Sequence, residues 1–411
     1  MGGPQPLRPS MYQYETIDRG MVHQRARQFR LQTERFLAGT LSEDEFRPLR
    51  LQNGLYIQRH APMLQVAIPY GMLNAVQLRR LAHIAREYDR GYGRFSTRQN
   101  ILYSCPTLER VPDILDELAE VDLHAIQASG NCILNTAVDH FAGVAPDEVL
   151  DPRVYVEIIR QWSMLHPEFA FLPHEFRIVL SGSPEDRAAV MVQDIGLKAV
   201  FDYDGRAGFT VVVGGGPGRT PIAGDVIRQF LPAADLLTCL DAILRVYNRH
   251  GRRDSKYRAR IEMLVKKLGV AEFRRQVAHE WSFLEGGPGT LPAAEIARVE
   301  ARFTRPAYRP LPRVSAAHEQ HLRKDSAFAR WVARNVHPHR VSGYAAVTIS
   351  LKKTGVPPGD VMATRMDGIA DLAERHSFGE LRLTHEQDVV FADVENESLH
   401  ALWLGLDKTG Q

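Results

Sequence analysis

The chain has 411 residues, of which 44% are hydrophobic and 24% charged, and its 51 Lys and Arg against 49 Asp and Glu leave a net charge of +2. That length predicts two or three domains, and the even charge balance excludes a surface built for polyanions, so no nucleic-acid partner is expected. No 18-residue apolar run occurs, and the opening MGGPQPLRPSMYQYETIDRG lacks the apolar centre of a signal peptide, so no membrane partner and a cytoplasmic location are expected.

Residues 1–61 read as a polar N-terminal arm, with a charge-rich surface helix across Glu15–Leu41. MLQVAI (63–68) has the composition of a strand. Asn74 then suits the N-cap of a helix AVQLRRLAHIAREY, whose Leu78, Leu81, Ile84, Ala85 and Tyr88 share one face. RFSTRQNILYS (94–104) reads as one strand, and Pro112 opens a short helix. Residues 62–125 thus form one expected structural half.

From 126 to 335 an α/β segment is expected. Its strands are FRIVLS (176–181), GLKAVFDY (196–203) and GFTVVVGG (208–215), and its helices lie at 152–165, 235–251 and 257–269. Pro306, Pro310 and Pro312 mark an extended linker near its end. Residues 336–411 then return to the earlier order, with strand YAAVTISL, helix DVMATRMDGIADLAERH, strand ELRLTHEQDVVFADV and helix LHALWLGL.

The two outer halves can be superimposed residue by residue. With Gln99 on Gln387, an offset of 288 (387 − 99), Arg94 falls on Arg382, Ser96 on Thr384, Asn100 on Asp388 and Tyr103 on Phe391. Arg98 on Glu386 and Thr97 on His385 depart from this likeness. Matching element order around matching strands predicts two half-domains paired about a pseudo-twofold axis.

Several side-chain groups carry chemistry. On a single strand, Arg94, Ser96 and Arg98 would share a face, either as a carboxylate-recognising row or as a solvated sheet surface. Gly214, Gly215 and Gly216 follow a β-branched strand and read either as a plain strand exit or as a cradle for an anion. Arg252–Lys256 is a basic cluster at a helix junction, solvated or in contact with an anion. His166, His174, His337 and His339 show no metal-ligand spacing. Cys105, Cys132 and Cys239 are too few and too scattered for a disulfide framework or a thiolate-held metal centre.

GYGRFSTRQNI, QASGNCILNTAVDHFAGVAPDE, IIRQWSMLHPEFAFLP, VVVGGGPGRTP, YNRHGRRDSKYRARIEMLV and RLTHEQDVVF together resemble the sirohaem-dependent nitrite and sulfite reductase haemoproteins. The likeness runs from about residue 11 to residue 406. It implies an α+β fold, with two ferredoxin-like half-domains paired by pseudo-twofold symmetry and a central sirohaem-binding-type α/β domain. It also implies sirohaem coupled to a [4Fe–4S] cluster, six-electron reduction of sulfite or nitrite, and a ferredoxin or flavoprotein electron donor. By the same likeness Arg94, Ser96, Arg98, Gln99, Asn135, Gly214, Gly215, Gly216, Arg252 and Lys256 line the sirohaem, and Arg177 takes a catalytic position.

The departures from the family pattern also carry expectations. The family holds its cluster with four cysteines, and the three here do not match that motif, so no [4Fe–4S] cluster is expected from this chain alone. Gln65 and Leu134 stand where the family has arginines. His174-Glu175-Phe176-Arg177 stands where it has Arg-Lys-Phe-Lys. The leading expectation is therefore a reductase homologue that does not turn over by itself. Alternatives are a non-catalytic paralogue that binds a tetrapyrrole or a partner protein, and one part of a split reductase whose cluster domain is on another chain.

Overall fold

The computed structural model describes residues 12–58, 61–164, 166–218, 220–255 and 258–408. Thr16–Leu37 (α1) and Glu43–Gln52 (α2) precede Leu55–Gln58 (β1), Ala61–Val66 (β2) and Met72–Asn74 (β3). Ala75–Tyr88 (α3), Tyr92–Phe95 (β4), Ile101–Tyr103 (β5) and Val111–Ala119 (α4) follow. The middle of the chain holds Ala137–Val138 (β6), Pro152–Ser163 (α5), Ile178–Ser181 (β7), Ile195–Phe201 (β8), Ala207–Val213 (β9) and Asp225–Pro232 (β10). Its helices continue with Leu236–His250 (α6), Ile261–Leu268 (α7), Val270–Trp281 (α8) and Ala293–Glu300 (α9). The last third runs through Ala316–Lys324 (α10), Ser326–Asn335 (α11), Val336–Pro338 (β11), Tyr344–Ile349 (β12) and Asp360–Met362 (β13). Ala363–His376 (α12), Glu380–Leu383 (β14), Val389–Glu395 (β15) and Leu399–Lys408 (α13) complete it.

One unit takes residues up to 125, 144–146 and those from 302 onward. Its α3 begins where the sequence places it, because Asn74 Oδ1 accepts the Gln77 N–H at 2.8 Å and Gln77 Oε1 accepts the Asn74 N–H at 3.1 Å. This reciprocal capping box satisfies two amides that the helix cannot bond internally. Leu78, Leu81, Ile84 and Ala85 enter a core that also holds Met366, Ile369, Ala370 and Ala373 of α12, against which α3 packs. Ion pairs from Arg79 to Asp371 and Glu374, each at 2.7 Å, join the same two helices on their outer side. Half-exposed pairs of that kind contribute little, and the buried apolar faces hold the helices together.

The two sheets of this unit are ordered β1-β2-β5-β4-β13 and β11-β12-β15-β14-β3. Each takes its last strand from the other half: Asp360 pairs with Arg94 on β4, and Asn74 with Glu380 on β14. The offset of 288 holds in the bonding itself. The Ala75 N–H donates to Gly379 O and the Ala363 N–H to Gly91 O, both at 2.9 Å. Paired half-domains are therefore present as the repeat implies.

Three expectations are corrected. RFSTRQNILY and RLTHEQDVVF are hairpins, not single strands: β4 turns back into β5, and β14 into β15. The turns close because Gln99 and Gln387 adopt left-handed backbones with φ of 56° and 67°, and because the Ser96 and Thr384 hydroxyls accept amides inside the loops. Arg94, Ser96 and Arg98 accordingly do not alternate along one strand. The stretch read as an arm at 1–61 is, from residue 12 onward, part of the first unit. The inner face of α1 buries Val22, Ala26 and Phe29, Phe46 of α2 joins them, and β1 pairs with β2. The segment expected at 126–335 also gives up 144–146 and everything after 301 to that unit. Phe303 packs on Tyr12 and Tyr70, and Phe328 enters the core of the half-domains.

The other unit, residues 126–143 and 147–301, is built on a mixed sheet ordered β10-β9-β8-β7-β6. Its β6, β7 and β8 run parallel and the remaining neighbours antiparallel. β10 and α8 have no counterpart among the elements expected from the sequence. Among the described residues no helix is long and apolar enough to cross a membrane.

Candidate anion and cofactor site

The residues singled out in the sequence are distributed over both units. In the half-domain unit, Arg94 on β4 extends its guanidinium to Asp360 of the other half, with Nε 2.5 Å and Nη2 3.1 Å from the carboxylate. Ser96 opens the hairpin loop, and its hydroxyl accepts the Arg98 N–H at 3.2 Å. Arg98 Nη2 donates to Gln65 Oε1 at 3.2 Å. Gln99 is fully buried and points into the fold, where Nε2 donates to Leu383 O at 2.8 Å.

In the other unit, Asn135 is half-buried and its N–H donates to Gln127 O. Leu134, 2% exposed, donates its N–H to Phe176 O at 2.8 Å, and Phe176 returns a bond to Cys132 O. That pairing brings Leu134 beside Glu175 and Arg177, which are themselves joined at 2.5 Å from Nη2 to Oε1. Arg252 is exposed and paired with Asp254, whose carboxyl it holds down at about 2. Lys256 lies outside the described residues.

Gly214, Gly215 and Gly216 use their amides at home, donating to Asp194 O, Gln193 O and Ile222 O at 2.9–3.1 Å. An anion at this loop would therefore have to compete with those carbonyls. Packing requires glycine at 215, where a Cβ would stand 2.4 Å from the backbone atom Met191 O, whereas at Gly216 it would meet only the movable carboxylate of Glu262.

Sequence reasoning missed the residue that ties this unit's candidates together. Asp194, 1% exposed, accepts the Arg177 N–H at 2.9 Å and Arg260 Nη2 at 3.0 Å, while its carbonyl takes the Gly214 amide. Arg260 also lies 3.5 Å from Glu262. Burial pushes the Asp194 carboxyl up to about 6 against the opposing pull of Arg260. Burial likewise lowers His174 and raises Tyr247, which favours the neutral form of both. Asp360, the counter-ion of Arg94, was also missed.

These observations bear on cofactors. A [4Fe–4S] cluster needs thiolates. Cys239 sits in the buried face of α6, and burial pushes its thiol and that of Cys132 up to about 12, while Cys105 belongs to the other unit. Among the described residues no group of His, Cys, Asp or Glu is arranged for a metal ion. These cysteines do not fit a cluster. A carboxylate-bearing tetrapyrrole needs cations, and Arg94, Arg177 and Arg252 each already pair with a carboxylate of this chain. Each guanidinium has further N–H donors, Arg177 Nε among them without a partner, so such a group would compete with these carboxylates for the arginines.

Residues 129–283 match the model of the nitrite and sulphite reductase 4Fe-4S domain, and residues 56–121 and 337–409 match that of the nitrite/sulfite reductase ferredoxin-like half domain. The chain belongs to the nitrite and sulfite reductase family. It is 28% identical over 350 residues to the chloroplastic ferredoxin–nitrite reductase of Arabidopsis thaliana, covering 83% of this chain and 53% of that protein. It is 27% identical over 353 residues to a ferredoxin sulfite reductase of Mycobacterium tuberculosis, covering 85% and 56%. The solved structure of Mycobacterium tuberculosis NirA protein overlays with a TM-score of 0.72 at 26% identity, covering 90% of this chain and 64% of that one. The chain thus spans about half the length of the curated relatives it matches.

Proposed function

We propose that this chain is the haemoprotein scaffold of a nitrite or sulfite reductase, with its anion-binding arginines restrained by the chain's own carboxylates. By itself it does not complete the six-electron reduction. Electrons would come from a ferredoxin, the donor named for its relatives, or from a flavoprotein. Thiolates for a cluster would come from outside the described residues. The observation that carries this reading is the Glu175–Arg177 contact. The guanidinium that would face an oxyanion already holds one, and a guanidinium, unlike an ammonium, gives up a proton poorly near neutral pH.

The test is a titration of the purified chain with sirohaem, followed by absorption and repeated with nitrite and sulfite. Weak binding is expected for the unaltered chain. Glu175→Gln should tighten it roughly tenfold, the equivalent of about 1.4 kcal/mol. Restoring the family's pattern (Gln65→Arg, Leu134→Arg, Glu175→Lys, Arg177→Lys) should tighten it further without giving turnover. Tight sirohaem binding by the unaltered chain, indifferent to these changes, would overturn the reading.

A further inference from the structure

Around Arg177 the second unit gathers more carboxylates than cations. Arg177 and Arg260 face Glu175, Asp194 and Glu262, which leaves one negative charge in excess when all are ionised. Tyr247 adjoins Asp194 and is also within reach of the exposed Arg253, His174 lies by Glu175, Arg177 and Arg260, and burial favours the neutral forms of Tyr247 and His174. Two of the segments singled out in the sequence meet at Asp194, the strand entry at Arg177 and the glycine loop through Gly214, and Arg260, just beyond the basic cluster, joins them there.

We propose that Asp194 is a positioning residue that couples anion binding at Arg177 to the uptake of one proton. An anion arriving at the guanidinium adds a second excess negative charge and offsets the pull that this guanidinium exerts on the Asp194 carboxylate, which has almost no access to water. In so poorly solvated a place the mutual repulsion is screened little. The cluster relieves it by forming an O–H bond at Asp194 with a proton drawn from solvent, and releases that proton when the anion departs. Asp194 is the member best placed to change state, because Glu175 lies in direct contact with Arg177 and remains a quarter exposed, whereas Asp194 is sealed and already raised to about 6. The oxyanion reductions of this family consume protons as well as electrons, so a carboxyl that loads with the substrate would arrive charged for that use. The inference rests on the reading that Arg177 faces an anion.

The test is calorimetric titration of the full chain with nitrite, in buffers of different ionisation enthalpy, between pH 5.5 and 7.5. In the unaltered chain nitrite affinity should fall roughly fivefold across that range, with protons taken up on binding. Asp194→Asn should abolish most of the pH dependence and the proton uptake. Because that variant touches a buried contact, Arg260→Gln provides a second arm. It leaves Asp194 in place without its cation, and should move the proton uptake to higher pH. Identical proton uptake in all three proteins would show that Asp194 is not the coupled group. If nitrite binds neither the unaltered chain nor Glu175→Gln, where the competing carboxylate is gone, the anion reading of Arg177 fails, and the coupling with it.

Discussion

Gln99 and Gln387 hold each other's hairpins: Gln99 Nε2 donates to Leu383 O at 2.8 Å, and Gln387 Nε2 donates to Phe95 O at 2.7 Å. The donors and the acceptors are both separated by 288 positions, so the two bonds are one contact repeated by the pseudo-twofold. Gln99→Ala should destabilise the chain by about 1–3 kcal/mol, since it leaves a buried carbonyl without that donor. Urea unfolding would measure it. A loss below a few tenths of a kcal/mol would mean the hairpin does not depend on this bond.

Gly71 and Gly359 lie beneath those glutamines, and both have positive φ (66° and 83°). A Cβ at Gly359 would stand 2.2 Å from Phe95 O, a backbone atom, whereas at Gly71 it would meet the Gln99 side chain at 2.8 Å. Each alanine brings about 1–2 kcal/mol of left-handed strain. Gly359→Ala should add a clash that the backbone cannot relieve, and so melt at a clearly lower temperature than Gly71→Ala. Equal melting temperatures would contradict this.

Arg382 and Glu380 form an ion pair at 2.5 Å with side chains 2% and 0% exposed. Replacing one member strands the other's charge. Glu380→Leu alone should therefore cost about 3–5 kcal/mol, and the double change Glu380→Leu with Arg382→Met should cost less than that single change. Chemical denaturation of the unaltered chain and the two variants would reveal the expected reversal.

Asp194 makes a prediction for stability that is independent of any ligand. Its folded pKa, about 6, lies above the ordinary value of 3.8. The folded state therefore binds this proton more tightly than the unfolded state. Its contribution is fully present below about pH 4 and is lost as pH rises through 6. Asp194→Asn should gain relative to the unaltered chain between pH 4 and 7, by an amount of order 2 kcal/mol. Unfolding free energies at both ends of that range would show whether the difference moves in that direction.

The cysteines should separate by reactivity. Cys105 is half-buried, while Cys239 is fully buried with its thiol held protonated. Alkylation of the native chain at pH 8, read by mass spectrometry, should label Cys105 first and leave Cys239 intact until unfolding. Early labelling of Cys239 would contradict its place in the core.

What could be read from the sequence follows the range of the interactions. The α3 cap at Asn74 and its apolar face are local, and the repeat survives as residue likeness, so both were legible. The hairpins were not. RFSTRQNILY contains neither Gly nor Pro, and its turn relies on a glutamine with positive φ and on a serine hydroxyl that reads equally well as strand. Asp194 was hidden for a different reason. Nothing in VMVQDIG marks it, and its partner Arg260 lies 66 positions away. The arginines drew attention by their type, but their counter-ions Asp360 and Asp194 become visible only once the chain has folded.

The borrowed strands have a consequence for how the protein is made. Arg94 on β4 waits for Asp360, 266 residues later, before its edge of the sheet is closed. At a synthesis rate of roughly 5–20 residues per second, that edge emerges from the ribosome about 15–50 s before its partner strand exists. During that interval the unpaired strand is a template for wrong pairing. The nascent chain should therefore depend on shielding by a chaperone more than a protein of this length with locally closed sheets, and slowing translation should lengthen that exposure.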